Sequence, residues 1–178
     1  MNLPNKLTLT RIALVPFFIA CFYMSTPYKN LIAAVVFTLA YLTDVFDGQI
    51  ARKHNLITNF GKLMDPIADK LLTCSAFIML VSFGMLSPIA AIIVISREFI
   101  ISGFRLVAAG SGNVIAASWL GKTKTVSQFV AINLLLIWPY TGLLNFPLDS
   151  IVLWISVFFT AWSGVDYIVK NRASVNFS

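Results

Sequence analysis

Apolar residues run almost unbroken along most of the chain, over roughly 12–24, 31–43, 71–95, 99–117, 126–148 and 151–169. A bilayer crossing needs about 20 residues. Several runs carry charges near one end, so the pattern predicts six helices at approximately 7–25, 31–54, 60–83, 88–110, 122–142 and 148–170. The cuts fall at STPYKN (25–30), SFGMLSP (82–88), GSGN (110–113) and TGLLNFPLDS (141–150), which hold turn residues, and Pro88 suits the first turn of a helix. The third and fourth runs are therefore separate helices. No internal repeat, low-complexity tract or domain linker interrupts the sequence. The expected fold is all-α: a polytopic membrane bundle of six transmembrane helices, in one domain spanning 1–178.

Composition points the same way. Hydrophobic residues make up 58% of the chain and charged residues 11%, with a mean hydropathy of +0.85. These values lie far from the soluble globular average. Charge then supplies orientation, because Lys and Arg collect in cytoplasmic loops. With the N-terminus inside, Lys6, Arg11, Arg52, Lys53, Lys62, Arg105, Lys122, Lys124, Lys170 and Arg172 fall at or near cytoplasmic ends, and Lys29 falls outside. Both termini are expected in the cytoplasm. The net charge of +6 reads as this topology signal rather than as a nucleic-acid surface.

Lys6 and Arg11 before an apolar stretch, and FIAC at 18–21, give the N-terminus a faint likeness to a signal peptide. Arg11 sits too close to the apolar run and five more spans follow, so an uncleaved first helix is expected. Cys21 and Cys74 have no ligand-spaced partner and read as buried small hydrophobes.

The polar chemistry is concentrated in one window. Four of the seven acidic residues, Asp44, Asp47, Asp65 and Asp69, lie between positions 44 and 69. On a helix, Asp44, Asp47, Gly48, Ala51 and Arg52 share a face, and on the next helix so do Gly61, Asp65 and Asp69. A short connection brings the two stripes together antiparallel, just below the cytoplasmic surface. Carboxylates so placed repel one another and are costly near lipid, at about 2.5–3.5 kcal/mol for an ionised Asp at mid-bilayer. Either local cations such as Arg52, Lys53, Lys62 and Lys70 neutralise them, or a divalent metal does. An oxygen-only donor set favours Mg²⁺ or Mn²⁺ over zinc. Gly48, Ala51 and Gly61 serve either helix packing or close approach of a ligand to the backbone.

The window resembles the signature of the CDP-alcohol phosphatidyltransferase family. It carries Asp44, Asp47, Gly48, Ala51, Arg52, Gly61, Asp65 and Asp69 at the family's spacing without departure. The resemblance implies transfer of a phosphatidyl group from a CDP-linked donor such as CDP-diacylglycerol to an alcohol, with release of CMP. It implies that Asp44, Asp47, Asp65 and Asp69 ligate two Mg²⁺ or Mn²⁺ ions, and that Asp69 is also the general base. Gly48, Ala51 and Gly61 become cytidine-facing residues, Arg52 a donor to the nucleotide, and Asn5 and Thr8 a cap on the cytidine site.

PNKLTLTR (4–11), ISREFIISGFR (95–105) and GKTKT (121–125) resemble the branch of that family whose acceptor is sn-glycerol 3-phosphate. That acceptor requires a phosphate pocket, for which Arg105, Lys122, Lys124 and the deeper Arg97 are the expected cations. Without the family, Arg97 and Glu98 read as an intramembrane charge arrangement, with Asp166 as a candidate partner. A homodimer is expected from the resemblance alone. Alternatives are a CDP-alcohol-type cardiolipin synthase, a phosphatidylinositol-phosphate or phosphatidylserine synthase, or a divalent-cation transporter. The transporter explains neither the small-residue pattern nor the clustering at one end.

Overall fold

A computed structural model of the chain describes residues 3–53, 59–110, 119–141 and 147–172. Among the described residues there are six α-helices and no strand: α1 (Leu3–Cys21), α2 (Lys29–Lys53), α3 (Asn59–Ser82), α4 (Pro88–Gly110), α5 (Trp119–Ile137) and α6 (Leu148–Asn171). A 3₁₀ turn, Trp138–Tyr140, follows α5. All six expected helices are present, and two differ in their limits by more than two residues. α1 starts at Leu3 rather than near 7, because its polar first turns face inward. α5 ends at Ile137 rather than near 142, where Pro139 withholds a backbone donor and the chain tightens into the 3₁₀ turn.

Two compact units divide the chain, Met1–Phe83 and Gly84–Ser178. In the first, α1 packs along both α2 and α3. Its buried positions, Asn5, Thr8, Arg11, Val15, Phe18, Cys21 and Phe22, recur every three or four residues, the spacing of one helical face. That face is polar at its start and apolar at its end. Arg11 meets Asp44 while Phe18 meets Phe37, with ring centroids 5.7 Å apart, so α1 and α2 run antiparallel. Thr8 meets Asp65 while Phe22 meets Phe83, at 5.2 Å, so α1 and α3 run parallel. The unit is therefore polar at one end and aromatic at the other, where the Lys29 ammonium lies 5.0 Å from the centre of the Phe83 ring.

In the second unit α6 packs against both α4 and α5. Its buried stripe is largely small and polar: Ser156, Thr160, Ser163, Gly164 and Tyr167, with Leu153 and Val157. Its exposed face carries Trp154, Phe158, Trp162 and Val165. α4 likewise exposes Ile89, Ile92, Phe99 and Leu106 and buries Glu98. Apolar residues outside and small or polar residues inside invert the soluble pattern and match helix packing in lipid. By length and composition, α6 is the one helix among the described residues long and apolar enough to cross a membrane.

Hydrogen bonds tie this seam together. Gln128 Nε2 donates to Thr160 Oγ1 at 3.0 Å, and Thr160 Oγ1 donates to the Ser156 carbonyl at 2.7 Å. Arg97 Nη2 donates to Ser163 Oγ at 3.0 Å. Gly164 makes room for the Arg97 stem, since a Cβ at this position would stand 3.0 Å from Arg97 Cγ. Overpacking costs about 1–3 kcal/mol, against a helix-propensity gain of about 1 kcal/mol on replacing Gly. Gly164→Ala is therefore expected to lower the melting temperature in detergent by a few degrees. A raised melting temperature would mean that the Arg97 stem moves aside freely.

Candidate active site

The polar end of the first unit brings three helices to one place. Arg11 Nη1 on α1 lies 2.7 Å from Asp44 Oδ1 on α2; the Arg11 side chain is fully enclosed and that of Asp44 is 38% exposed. Thr8 Oγ1, one turn earlier on α1, donates to Asp65 Oδ1 on α3 at 2.6 Å. Asp44 is close enough to Asp65 and Asp69 to interact with both electrostatically, and Tyr41, one turn before Asp44, interacts with Asp44 and Asp69. Asp44 of the α2 stripe thus comes together with Asp65 and Asp69 of the α3 stripe, with α1 against both.

Asp65 and Asp69 are half-buried, Gly61 is buried near the start of α3, and Asn5 is buried beside Thr8 in the sequence of the α1 stripe. Pro66, directly after Asp65, takes one donor out of the α3 ladder. Asp47, Gly48, Ala51 and Arg52 continue α2. Their side chains, with those of Lys53 and Lys62, and His54 itself, lie outside the described residues. Lys70, offered by the sequence as a local counterion, donates to the Pro66 carbonyl at 3.1 Å, back along its own helix.

Arg11 was legible only as a topology charge. Its signal was the three-residue spacing of Asn5, Thr8 and Arg11, which places three polar groups on one face of an apolar helix. The donors around this end are carboxylate and hydroxyl oxygens, with no thiol or imidazole among the described contacts. Oxygen donors of this kind are what a hard divalent cation takes, and among the described residues no three carboxylate, imidazole or thiol groups are gathered into a metal site.

The cations expected to hold an acceptor phosphate all belong to the second unit. Lys124, 5% exposed, forms an ion pair with Glu98 Oε1, and Arg97 Nη1 stands 3.4 Å from the same oxygen. Arg105 Nε donates to Tyr167 Oη at 3.0 Å, one turn along α6 from the Ser163 that holds Arg97. Arg97 and Arg105 are within electrostatic reach of each other. Lys122 is exposed. Asp166, a candidate partner for Arg97, instead pairs with Lys170 at 2.8 Å. Glu98 lies beside Arg97 as the sequence suggested; its contact with Lys124, and the contacts of Ser163 and Tyr167, were not assigned by sequence spacing, since each crosses a helix interface.

A family model described as CDP-alcohol phosphatidyltransferase matches residues 1–162. The chain belongs to the CDP-alcohol phosphatidyltransferase family. Among its relatives is a Bacillus subtilis (strain 168) protein named CDP-diacylglycerol--glycerol-3-phosphate 3-phosphatidyltransferase, 46% identical over 184 residues, covering 96% of this chain and 95% of its own. Proteins of the same name from Rickettsia bellii and Escherichia coli K12 are 42% and 37% identical. The first covers 93% of both chains, and the second covers 98% of this chain and 97% of its own.

Proposed function

We propose that the protein transfers the phosphatidyl group of CDP-diacylglycerol to sn-glycerol 3-phosphate. The products are phosphatidylglycerophosphate and CMP, a step of phospholipid biosynthesis. The observation that carries this is the meeting of α1 with the carboxylate stripes of α2 and α3. The near-full-length similarity to relatives of one name supports the choice of acceptor.

In this proposal a hydroxyl of glycerol 3-phosphate attacks the phosphatidyl phosphorus directly. The bond to the CMP oxygen breaks as the new P–O bond forms. Asp69 accepts the hydroxyl proton as the transition state develops, since the hydroxyl is a poor nucleophile while it keeps that proton. Asp44, Asp47, Asp65 and Asp69 would hold two Mg²⁺ or Mn²⁺ ions, which when bound supply positive charge to the pyrophosphate and to the attacking and leaving oxygens. Arg11 and Thr8 fix Asp44 and Asp65 from α1. Asn5, Gly48, Ala51, Arg52 and Gly61 face the CDP moiety, with Thr8 contributing through Asp65. Arg97, Arg105, Lys122 and Lys124 take the acceptor phosphate.

We place the enzyme in the cytoplasmic membrane as six spans with both termini and the site facing the cytoplasm. The inverted burial of α4 and α6 and the distribution of Lys and Arg support this. A homodimer is proposed on family resemblance.

The test is CMP release by purified protein in detergent with CDP-diacylglycerol and Mg²⁺. Glycerol 3-phosphate, inositol 1-phosphate, serine and phosphatidylglycerol are offered in parallel, with chelator controls. Chelator-sensitive release with glycerol 3-phosphate alone is the expected result. Release with another acceptor would keep the site and change the substrate, and no release from folded protein would return the transport alternative. Lys122→Ala should chiefly raise the KM for glycerol 3-phosphate, and an unchanged KM would remove Lys122 from the phosphate contacts.

A further inference from the structure

The pocket proposed for the acceptor phosphate contains an anion of its own. Glu98, 7% exposed, receives Lys124 and lies 3.4 Å from Arg97. The cluster of Arg97, Glu98 and Lys124 still carries net positive charge. Arg97 Nε is buried with no acceptor among the described residues. An anion is therefore still wanted there, although one resident carboxylate already occupies the cations.

The acceptor's phosphate monoester takes no part in bond making. It is the same group in glycerol 3-phosphate and in the product, because the new bond forms at the hydroxyl end of the molecule. Affinity for it is uniform along the reaction, so it lowers KM without lowering the barrier from the bound state, and too much of it retards product departure. Two buried cations facing a phosphate dianion in low dielectric would bind it strongly.

We propose that Glu98 is the resident counter-anion of the acceptor pocket. It holds Lys124 and Arg97 in position while the pocket is empty, and it weakens their hold on phosphate so that the phosphorylated product can leave. The inference rests on the assignment of Lys124 and Arg97 to the acceptor phosphate. Ser163 and Gly164 fix the Arg97 side chain, so Lys124 is the cation that Glu98 and the phosphate share.

Glu98→Gln keeps the shape and an acceptor oxygen for Lys124 but removes the charge. Its expected effect is a gain in affinity: the KM for glycerol 3-phosphate and the inhibition constant of inorganic phosphate each fall about three- to tenfold, as one repelling charge a few ångströms away is removed. kcat falls with them, while the KM for CDP-diacylglycerol does not change. A residue that merely braces the helices would give the opposite sign. An unchanged or raised acceptor KM in folded Glu98→Gln protein overturns the inference.

The double variant Glu98→Gln/Lys124→Gln guards against misfolding, since removing both members of a buried pair is tolerated better than removing one. Lys124→Gln alone should raise the acceptor KM, and the double variant should recover part of that rise. If Lys124→Gln leaves KM unchanged, the phosphate assignment fails and the inference falls with it. If Lys124→Gln raises KM and the double variant recovers nothing, the assignment stands and the counter-anion role is wrong.

Discussion

Asp69→Asn is expected to lower kcat by about 10²–10⁴-fold, the range that a positioned general base supplies, while CDP-diacylglycerol remains partly bound. The amide has the volume of the carboxylate and cannot take the acceptor's proton. Asp69 lies one helical turn beyond Asp65 on α3, is half-buried, and shares an electrostatic field with Asp44 and Tyr41. Its setting is thus that of the cluster, while its position along α3 is farthest from the Thr8 contact. Donor binding is read by retention of CDP-diacylglycerol in an equilibrium assay, and turnover by CMP release. A near-normal rate in the variant would remove Asp69 from the role of base.

Arg11→Met should produce the second large loss, and it should appear in stability as well as in rate. The guanidinium is fully enclosed and lies 2.7 Å from Asp44. Breaking a buried pair costs about 3–5 kcal/mol. Asp44 is partly open to solvent, which moderates the cost to about 1–3 kcal/mol. The rate should fall about 10²-fold, because a carboxylate proposed to hold a metal ion, once freed from its partner, shifts by a fraction of its own length, and misplacement on that scale is enough. Melting temperature in detergent separates the two effects. Arg11→Lys restores the charge without the planar fork, so it should regain more of the melting temperature than of the rate. Full activity in Arg11→Met would show that Asp44 needs no support from α1.

Much of the carboxylate site was legible because its spacing is local. Asp44 with Asp47, and Asp65 with Asp69, fall on helical faces whatever the rest of the molecule does, and the convergence of Asp44 with Asp65 and Asp69 follows from the short connection between two helices. Arg11 was not legible as a site residue. A cation near a helix start in a membrane protein ordinarily reports topology, and only packing against α2 and α3 shows that it turns inward. The same blindness hid the partners of the second unit. Glu98 is adjacent in sequence to Arg97 and does approach it, at 3.4 Å, but its closer ion pair reaches Lys124 on α5. Asp166 has Lys170 one turn away and takes the local partner. The start of α4 was read well because Pro88 marks it. The start of α1 lies at Leu3 rather than near 7, because its first polar residues are helical and Asn5 and Thr8 among them are buried.

The enclosure of Arg11 has a consequence for how the protein is made. α1 leaves the ribosome before α2 and α3, so the guanidinium must enter or wait at the membrane before Asp44 and the α3 carboxylates have been synthesised. An isolated Arg at the bilayer centre costs about 2.5–3.5 kcal/mol on insertion scales. Its place in the third turn of α1, on the half of the helix that the proposed topology turns toward the cytoplasmic surface, lets it remain hydrated until its partners arrive. Closure of the polar end then waits on α2 for the Arg11–Asp44 ion pair and on α3 for the Thr8–Asp65 hydrogen bond.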